Sequence, residues 1–300
     1  MTAAFTQVSE DLANIVNNLS PSLVRVEARK RFPATGVVWS ADGLIVTAHH
    51  VVTQQKGIRV GLADGQTVKA KLVGRDPTTD LALLQVKDQQ LTPPVWGDAD
   101  GAGLRVGQLV VALGRPGRNV EASLGMLSAL EDSWRTHAGG RIDHYMHIDI
   151  VMYPGFSGGP LVNAAGQVVG INTSALLRDM NITIPVATVN RVGAMVRDHG
   201  RVRRGFLGVS TQVVRLPDPI VEQLGQETGL LLTAVEPGSP AEQGGLVLGD
   251  TLVTLDDARM RQHDDLTVFL APDRIGQTVT VQLLRGGQLQ ELQVIVGERT

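Results

Sequence analysis

From residue 22 to about 183 the chain alternates short apolar runs with Gly, Asp and Pro turns. The runs fall at 23–28, 36–39, 44–48, 58–62, 68–73, 81–86, 109–113, 126–130, 145–152, 161–162, 168–171 and 182–185. So many short strands, with turn signals roughly every 8 to 15 residues, predict an all-β barrel or sandwich. Two stretches break that rhythm. Val8, Leu12, Ile15 and Leu19 recur at helical spacing and Ser20-Pro21 follows, which predicts a helix over 6–19. Val189, Val192, Met195 and Val196 predict a second helix, closed by His199-Gly200 and followed by the basic Arg201, Arg203 and Arg204. We therefore expect one domain over 1–190, a helical and basic linker over 191–204, and a second domain over 205–300. That second domain reads as strands near 206–214, 229–235, 251–255, 278–284 and 288–296, with helices near 241–244 and 264–270. The polar stretch 131–143 is long for a connector and is a candidate regulatory loop.

Composition narrows the classes. Of the 300 residues, 43% are hydrophobic and only 3% aromatic, so the cores must be built from Val, Leu, Ile and Ala. A net charge of −3 and the shortness of the 201–204 cluster leave no electrostatic footprint for nucleic acid. No run approaches the roughly 18 to 20 apolar residues of a membrane span. With no cysteine, disulfides, a thiol nucleophile and thiolate metal sites are excluded. The first residues lack a basic segment leading into an apolar one. The expected compartment is cytoplasmic as the chain is given, or extracytoplasmic if a targeting segment has been removed.

Candidate chemistry centres on Ser157. It stands among Gly155, Gly158 and Gly159, between Pro154 and Pro160, directly after the apolar run 148–152. Glycines there allow a sharp turn that aims the amides of Gly155 and Ser157 at one point beside the hydroxyl. Nucleophilic acyl transfer needs that arrangement, provided a base and its orienting acid exist elsewhere. Among the seven histidines, His50 ends the apolar strand 44–48 and is followed by Val51-Val52, which would hold its ring rigidly. His49 should face the other way if the backbone there is extended. Asp80 closes the turn 76–80 at the threshold of the apolar strand 81–86, where partial burial strengthens a bond to an imidazole. Taken singly, each has a plain structural explanation. Their order, His50 then Asp80 then Ser157, is that of chymotrypsin-type proteases.

The runs TGVVWSADGLIVTAHHVV (35–52), DPTTDLALL (76–84), PGFSGGPLVN (154–163) and GINT (170–173) resemble the trypsin-like serine proteases, and within them the HtrA/Deg family. In the second domain, RGFLGV (204–209), VEPGSPAEQGGL (235–246) and LGDTL (248–252) are similar to the PDZ turns of that family. The resemblance implies a mainly β fold: a chymotrypsin-like double six-stranded β-barrel followed by a β-rich α+β PDZ domain. It implies His50 as general base, Asp80 as its orienter, Ser157 as nucleophile and Gly155, Phe156 and Ser157 around the oxyanion hole. The specificity pocket would draw on Val151, Ile171, Asn172 and Thr173. Valine at 151, where a trypsin carries aspartate, implies a preference for small aliphatic side chains.

In the PDZ domain the resemblance implies carboxylate capture at Phe206, Leu207 and Gly208, with a peptide added along Val209 and walled by Leu266, Phe269 and Leu270. No metal or cofactor is implied; His144 and His147 alternate on a strand with no acidic partner. Expected partners are unfolded proteins or peptides with apolar C-termini, and further copies of the chain in a homotrimer or multiple of trimers. Several positions depart from the family pattern. Tyr153 and Phe156 stand where asparagines are usual, which suggests an altered cleft rim. His49 replaces the customary Asn or Ala, and NITIP over 181–185 replaces GFAIP. A latent protease acting as a peptide-binding chaperone or scaffold is the alternative reading.

Overall fold

A computed structural model describes the whole chain except Met1, Arg31, Asp100, Ala102, Arg178, Asp179 and Thr300, and the side chains of Thr2 and Ala3. The chain divides into two compact units, Met1–Val202 and Arg203–Thr300.

The first unit opens with helix α1 (Thr2–Leu19). Its Leu12, Ile15, Val16 and Leu19 pack on Leu23, Val111, Leu113, Val162 and Val168, while Phe5 and Val8 on its first half stay exposed. Strands β1 (Leu23–Glu27), β2 (Ala34–Val38), β3 (Leu44–Ala48), β4 (Arg59–Gly61), β5 (Thr67–Asp76) and β6 (Leu81–Val86) close a barrel in the order β1-β2-β3-β6-β5-β4. Its interior is aliphatic, as the composition requires: Val24, Val26, Val38, Ile45, Val60, Leu84 and Val86 meet with no aromatic ring among them.

A second barrel uses β7 (Leu109–Gly114), β8 (Glu121–Glu131), β11 (Tyr145–Ile148), β12 (Pro160–Asn163), β13 (Val168–Thr173) and β14 (Ile182–Pro185), in the order β11-β14-β13-β12-β7-β8. Between β8 and β11 the expected polar loop is instead a small hairpin of β9 (Trp134–Arg135) and β10 (Arg141–Ile142). Thr136 Oγ1 donates to the Thr78 carbonyl at 2.7 Å, and a Cβ on Gly140 would stand 2.4 Å from that same oxygen. The hairpin is thus seated on the turn that presents Asp80. Helix α2 (Val186–His199) ends at Gly200 in the left-handed region. Val189, Val192 and Val196 pack it against Val37, Val46, Leu81, Leu83, Ile171 and Ile184, so residues 191–199 belong to the first unit instead of forming a linker. Glycine is needed at 74, where a Cβ would lie 1.8 Å from the Gly200 carbonyl oxygen.

The second unit is a sheet in the order β16-β17-β18-β20-β21, with the short β19 on β18 and a separate two-stranded pair. Its strands are β15 (Gly205–Phe206), β16 (Val209–Arg215), β17 (Thr228–Val235), β18 (Thr251–Leu255), β19 (Ala258–Arg259), β20 (Thr278–Arg285), β21 (Gln288–Ile295) and β22 (Gly297–Glu298). Helices α3 (Asp218–Leu224), α4 (Pro240–Gln243) and α5 (His263–Phe269) complete it. Leu230, Leu252, Leu266, Phe269, Val281 and Val294 are among its buried core residues.

Candidate active site

Strand register brings His50 and Asp80 together. In the β3–β6 ladder Ala48 lies opposite Leu81, so the residues just past one strand end face those just before the other. The chain then turns: residues 49–51 form a single 3-10 turn, and the His49 amide donates to the Asp80 carbonyl at 2.9 Å. The backbone is therefore not extended here, so strand alternation does not set where His49 faces. Asp80 itself sits at φ +57°, a left-handed conformation that aspartate tolerates better than most residues. Asp76 holds the turn by accepting from Thr78 N at 3.1 Å, Thr78 Oγ1 at 2.7 Å and Thr79 Oγ1 at 2.8 Å.

The Asp80 carboxylate is nearly buried and accepts three hydrogen bonds. His50 N reaches Oδ1 at 2.8 Å, while His50 Nδ1 and Thr173 Oγ1 both reach Oδ2, at 2.8 and 2.5 Å. A carboxylate only accepts, so Nδ1 carries the proton and Nε2 keeps a free lone pair. Close by, the His49 Nδ1 is buried without a hydrogen-bond partner, and burial pulls the His49 pKa below its ordinary value.

The Ser157 turn is held from both barrels. Thr35 N donates to the Ser157 carbonyl at 3.3 Å, and Thr35 Oγ1 to the Gly155 carbonyl at 2.7 Å. On the other side Gly158 N donates to the Asn172 carbonyl at 2.9 Å. Gly155 has φ +98°, and a Cβ there would press on Pro116 at 2.6 Å; at Gly158, φ is +86° and a Cβ would stand 2.2 Å from the Thr35 carbonyl oxygen. Among the described residues, no acceptor is bonded to the amides of Gly155 or Ser157. Two free amides beside a hydroxyl suit a developing oxyanion. The Ser157 hydroxyl, however, bonds to the Ser174 hydroxyl at 3.3 Å and has no hydrogen bond to His50. Reaching Nε2 requires a rotation about its Cα–Cβ bond.

Several expectations change. Phe156 contributes no free amide, because its N–H donates to the Tyr153 carbonyl at 3.1 Å. Nor is its ring part of a cleft rim: it is fully buried, and a Cβ on Gly114 would come within 2.6 Å of it. Tyr153, half exposed, packs edge-on against it at 5.6 Å and is the aromatic that faces solvent. Of the pocket residues, Val151 is 60% exposed, but the side chains of Ile171, Asn172 and Thr173 are fully buried. Ile171 fills the core between the barrels, Asn172 bonds to the Pro160 carbonyl and Thr183, and Thr173 serves Asp80, so none of these side chains lines a pocket.

In the second unit, Phe206 pairs with Gly297, Leu207 is buried in the core and Gly208 has φ +83°. Among the described residues the amides of Leu207 and Gly208 have no acceptor. Strand β16, beginning at Val209, lies at the end of the sheet order and keeps one edge unpaired. Leu266 and Phe269 are almost entirely buried in the domain core, which leaves Leu270, half-buried, as the more accessible of the three expected wall residues. Thr211 Oγ1 on β16 and His263 Nδ1 on α5 are 2.9 Å apart.

Two closed six-stranded barrels with His50, Asp80 and Ser157 on adjoining loops define the trypsin-like serine peptidase class. The trypsin-like peptidase domain family matches residues 34–171, and the PDZ domain family matches residues 205–296. A "Probable periplasmic serine endoprotease DegP-like" of Pseudomonas fluorescens is 33% identical over 271 residues, covering 88% of this chain and 56% of that protein. Among solved structures, "HtrA-type protease AlgW with tripeptide" is 31% identical with a TM-score of 0.74, over 96% of this chain and 97% of that one. The "serine endoprotease from Yersinia pestis" is 28% identical with a TM-score of 0.78, over 96% and 98%. The chain belongs to the HtrA/Deg family of trypsin-like serine proteases, with one PDZ domain. It spans about half the length of the curated DegP-like relatives it matches.

Sequence reasoning missed Thr35, the acceptor role of Asp80 toward Thr173, Ser174, and the pair Thr211 and His263. It also passed over the run Arg29-Lys30-Arg31, as compact as the basic cluster it singled out. The signal for that run was present in the sequence; for the hydroxyls it was not, since a lone Thr or Ser carries no pattern.

Proposed function

We propose that this chain is a cofactor-independent serine endopeptidase acting on unfolded or misfolded proteins, and that its PDZ domain binds apolar C-terminal peptides. The observation that carries the reading is the buried chain of bonds from Thr173 through Asp80 to His50, beside two unpartnered amides at the Ser157 turn. Ser157 Oγ turns from Ser174 to His50, gives its proton to Nε2 and attacks the scissile carbonyl carbon. The oxyanion is received by Gly155 N and Ser157 N, and Asp80 stabilises the imidazolium. His50 then protonates the departing amine, and water cleaves the acyl-enzyme by the same route in reverse.

The valine at 151, exposed where a trypsin-type pocket has its charged residue, supports cleavage after small aliphatic residues. The free edge of β16 and the unpartnered amides of Leu207 and Gly208 support strand addition of a C-terminal peptide. One of the similar solved structures is an HtrA-type protease with a tripeptide. The periplasmic naming of the DegP-like relatives supports an extracytoplasmic setting. Exposed Phe5 and Val8 on α1 support assembly of copies into a trimer.

Degradation of casein by the wild type and by Ser157→Ala tests the reading. The variant should lose turnover by a factor on the order of 10⁶. Equal degradation by both would remove the protease assignment.

A further inference from the structure

Beside the Ser157 turn lies an open groove of ≈ 610 Å³, lined by Glu27, Arg29, Pro33, Gln54, Gly57 and Arg59. Its place relative to the catalytic turn follows from the contacts. The Pro33 carbonyl oxygen stands 3.0 Å from where a Cβ on Gly155 would be, and Thr35, two residues on, bonds to both Gly155 and Ser157. Gln54, four residues past His50, donates its amide to the Ala28 carbonyl at 3.1 Å. The turn has β13 on its other flank, through Gly158 N and the Asn172 carbonyl. If the acyl half of a substrate lies along β13 and Ser174, the departing half leaves past Pro33 and enters this groove.

The charges in the groove are unevenly matched. Glu27 is fully engaged: Arg25 Nε donates to Oε1 at 2.9 Å and Arg59 Nε to Oε2 at 3.0 Å. Arg29 is half-buried and donates from Nε to the Phe32 carbonyl at 2.6 Å, which fixes the plane of its guanidinium. Among the described residues no carboxylate reaches it, and burial alone pulls its pKa down while leaving it charged. A held, partly desolvated guanidinium without an anionic partner is a ready receptor for a carboxylate.

We propose that this groove binds the substrate on the departing side of the scissile bond, and that Arg29 selects an acidic side chain, Asp or Glu, there. The inference rests on the protease reading for its chemistry, yet the groove can be tested by binding alone. Three quenched peptides, identical up to the scissile bond and carrying Glu, Gln or Lys at the second and third departing-side positions, are compared for kcat/KM. The Glu peptide should exceed the Gln peptide by roughly fivefold, and the margin should shrink with added salt. Arg29→Gln should bring the Glu-to-Gln ratio close to one. Arg29→Glu should reverse the order in favour of Lys, a gain that misfolding cannot mimic.

The same peptides titrated against Ser157→Ala give affinities that should follow the same order. If no peptide is cleaved but the Glu peptide still binds more tightly, the groove stands and the protease reading falls. Cleavage with no distinction between Glu and Gln, or a preference untouched in both Arg29 variants, overturns the proposal.

Discussion

The Ser157 hydroxyl faces Ser174 at 3.3 Å, and His50 Nε2, the proposed acceptor of its proton, is left without it. An O–H···O bond of that length is well beyond the usual 2.7–2.8 Å and joins two accessible hydroxyls. Its net worth is no more than about 1 kcal/mol, so leaving it costs catalysis less than tenfold. Ser174→Ala should therefore raise kcat by about two- to fivefold on a short peptide with KM little changed, and Ser174→Thr should restore the wild-type rate. A fall in kcat beyond tenfold would mean that Ser174 acts in the transition state, and would sink this account. His50, Asp80 and Ser157 could be singled out in the sequence because each sits in a long, patterned run. The bonds of the Thr173 and Ser174 hydroxyls escaped because the direction of a hydroxyl depends on how two barrels meet, and no local pattern encodes that.

His50 and Asp80, two of the proposed catalytic residues, lie just beyond strand ends, and the register of β3 on β6 sets their geometry. The apolar runs that become β3 and β6 were legible, but neither the pairing of Ala48 with Leu81 nor the 3-10 turn that follows β3 was. Alternation, which needs an extended backbone, therefore does not carry through residue 49. The hairpin of β9 and β10 was equally invisible, since strands of two residues are too short to show a period. The turn at 49–51 has a consequence for acid stability. Burial lowers the His49 pKa, with Arg75 and His50 pushing the same way and Asp80 and Asp76 opposing. Between that lowered value and the ordinary 6.5, the unfolded chain binds a proton that the folded chain does not. Stability should rise with pH through this window and be lost as pH falls below about 6.5. In His49→Asn, the loss of melting temperature between pH 7.5 and 5 should be smaller than in the wild type. An unchanged slope would show that His49 is not the group responsible.

At the scale of the molecule, the low aromatic content forced largely aliphatic cores in both units, with Phe156 and Phe269 as buried exceptions. That left the overall class legible: many short strands, then a change of rhythm near 200. The exact unit boundary was less so, because α2 carries the same spacing whether it bridges domains or packs on a barrel; contacts of Val189, Val192 and Val196 decide for the barrel. In the second unit two of the expected wall residues, Leu266 and Phe269, are buried in the core, so the proposed C-terminal peptide site rests on other features. The edge of β16 is unpaired, the amides of Leu207 and Gly208 lack acceptors, and Gly208 must stay glycine because a Cβ would lie 2.2 Å from Ser239. Amides left without acceptors at the head of an open strand favour a terminal carboxylate over an internal peptide segment, since a charged acceptor strengthens each bond. Hydrogen bonds to a charged group contribute about 1.5–3 kcal/mol, or roughly 10- to 100-fold in affinity. A labelled peptide ending in an apolar residue with a free carboxylate should bind the Ser157→Ala chain, and its C-terminal amide should bind weaker by that factor. Equal anisotropy titrations for acid and amide would mean that the turn at Leu207 and Gly208 does not read chain ends.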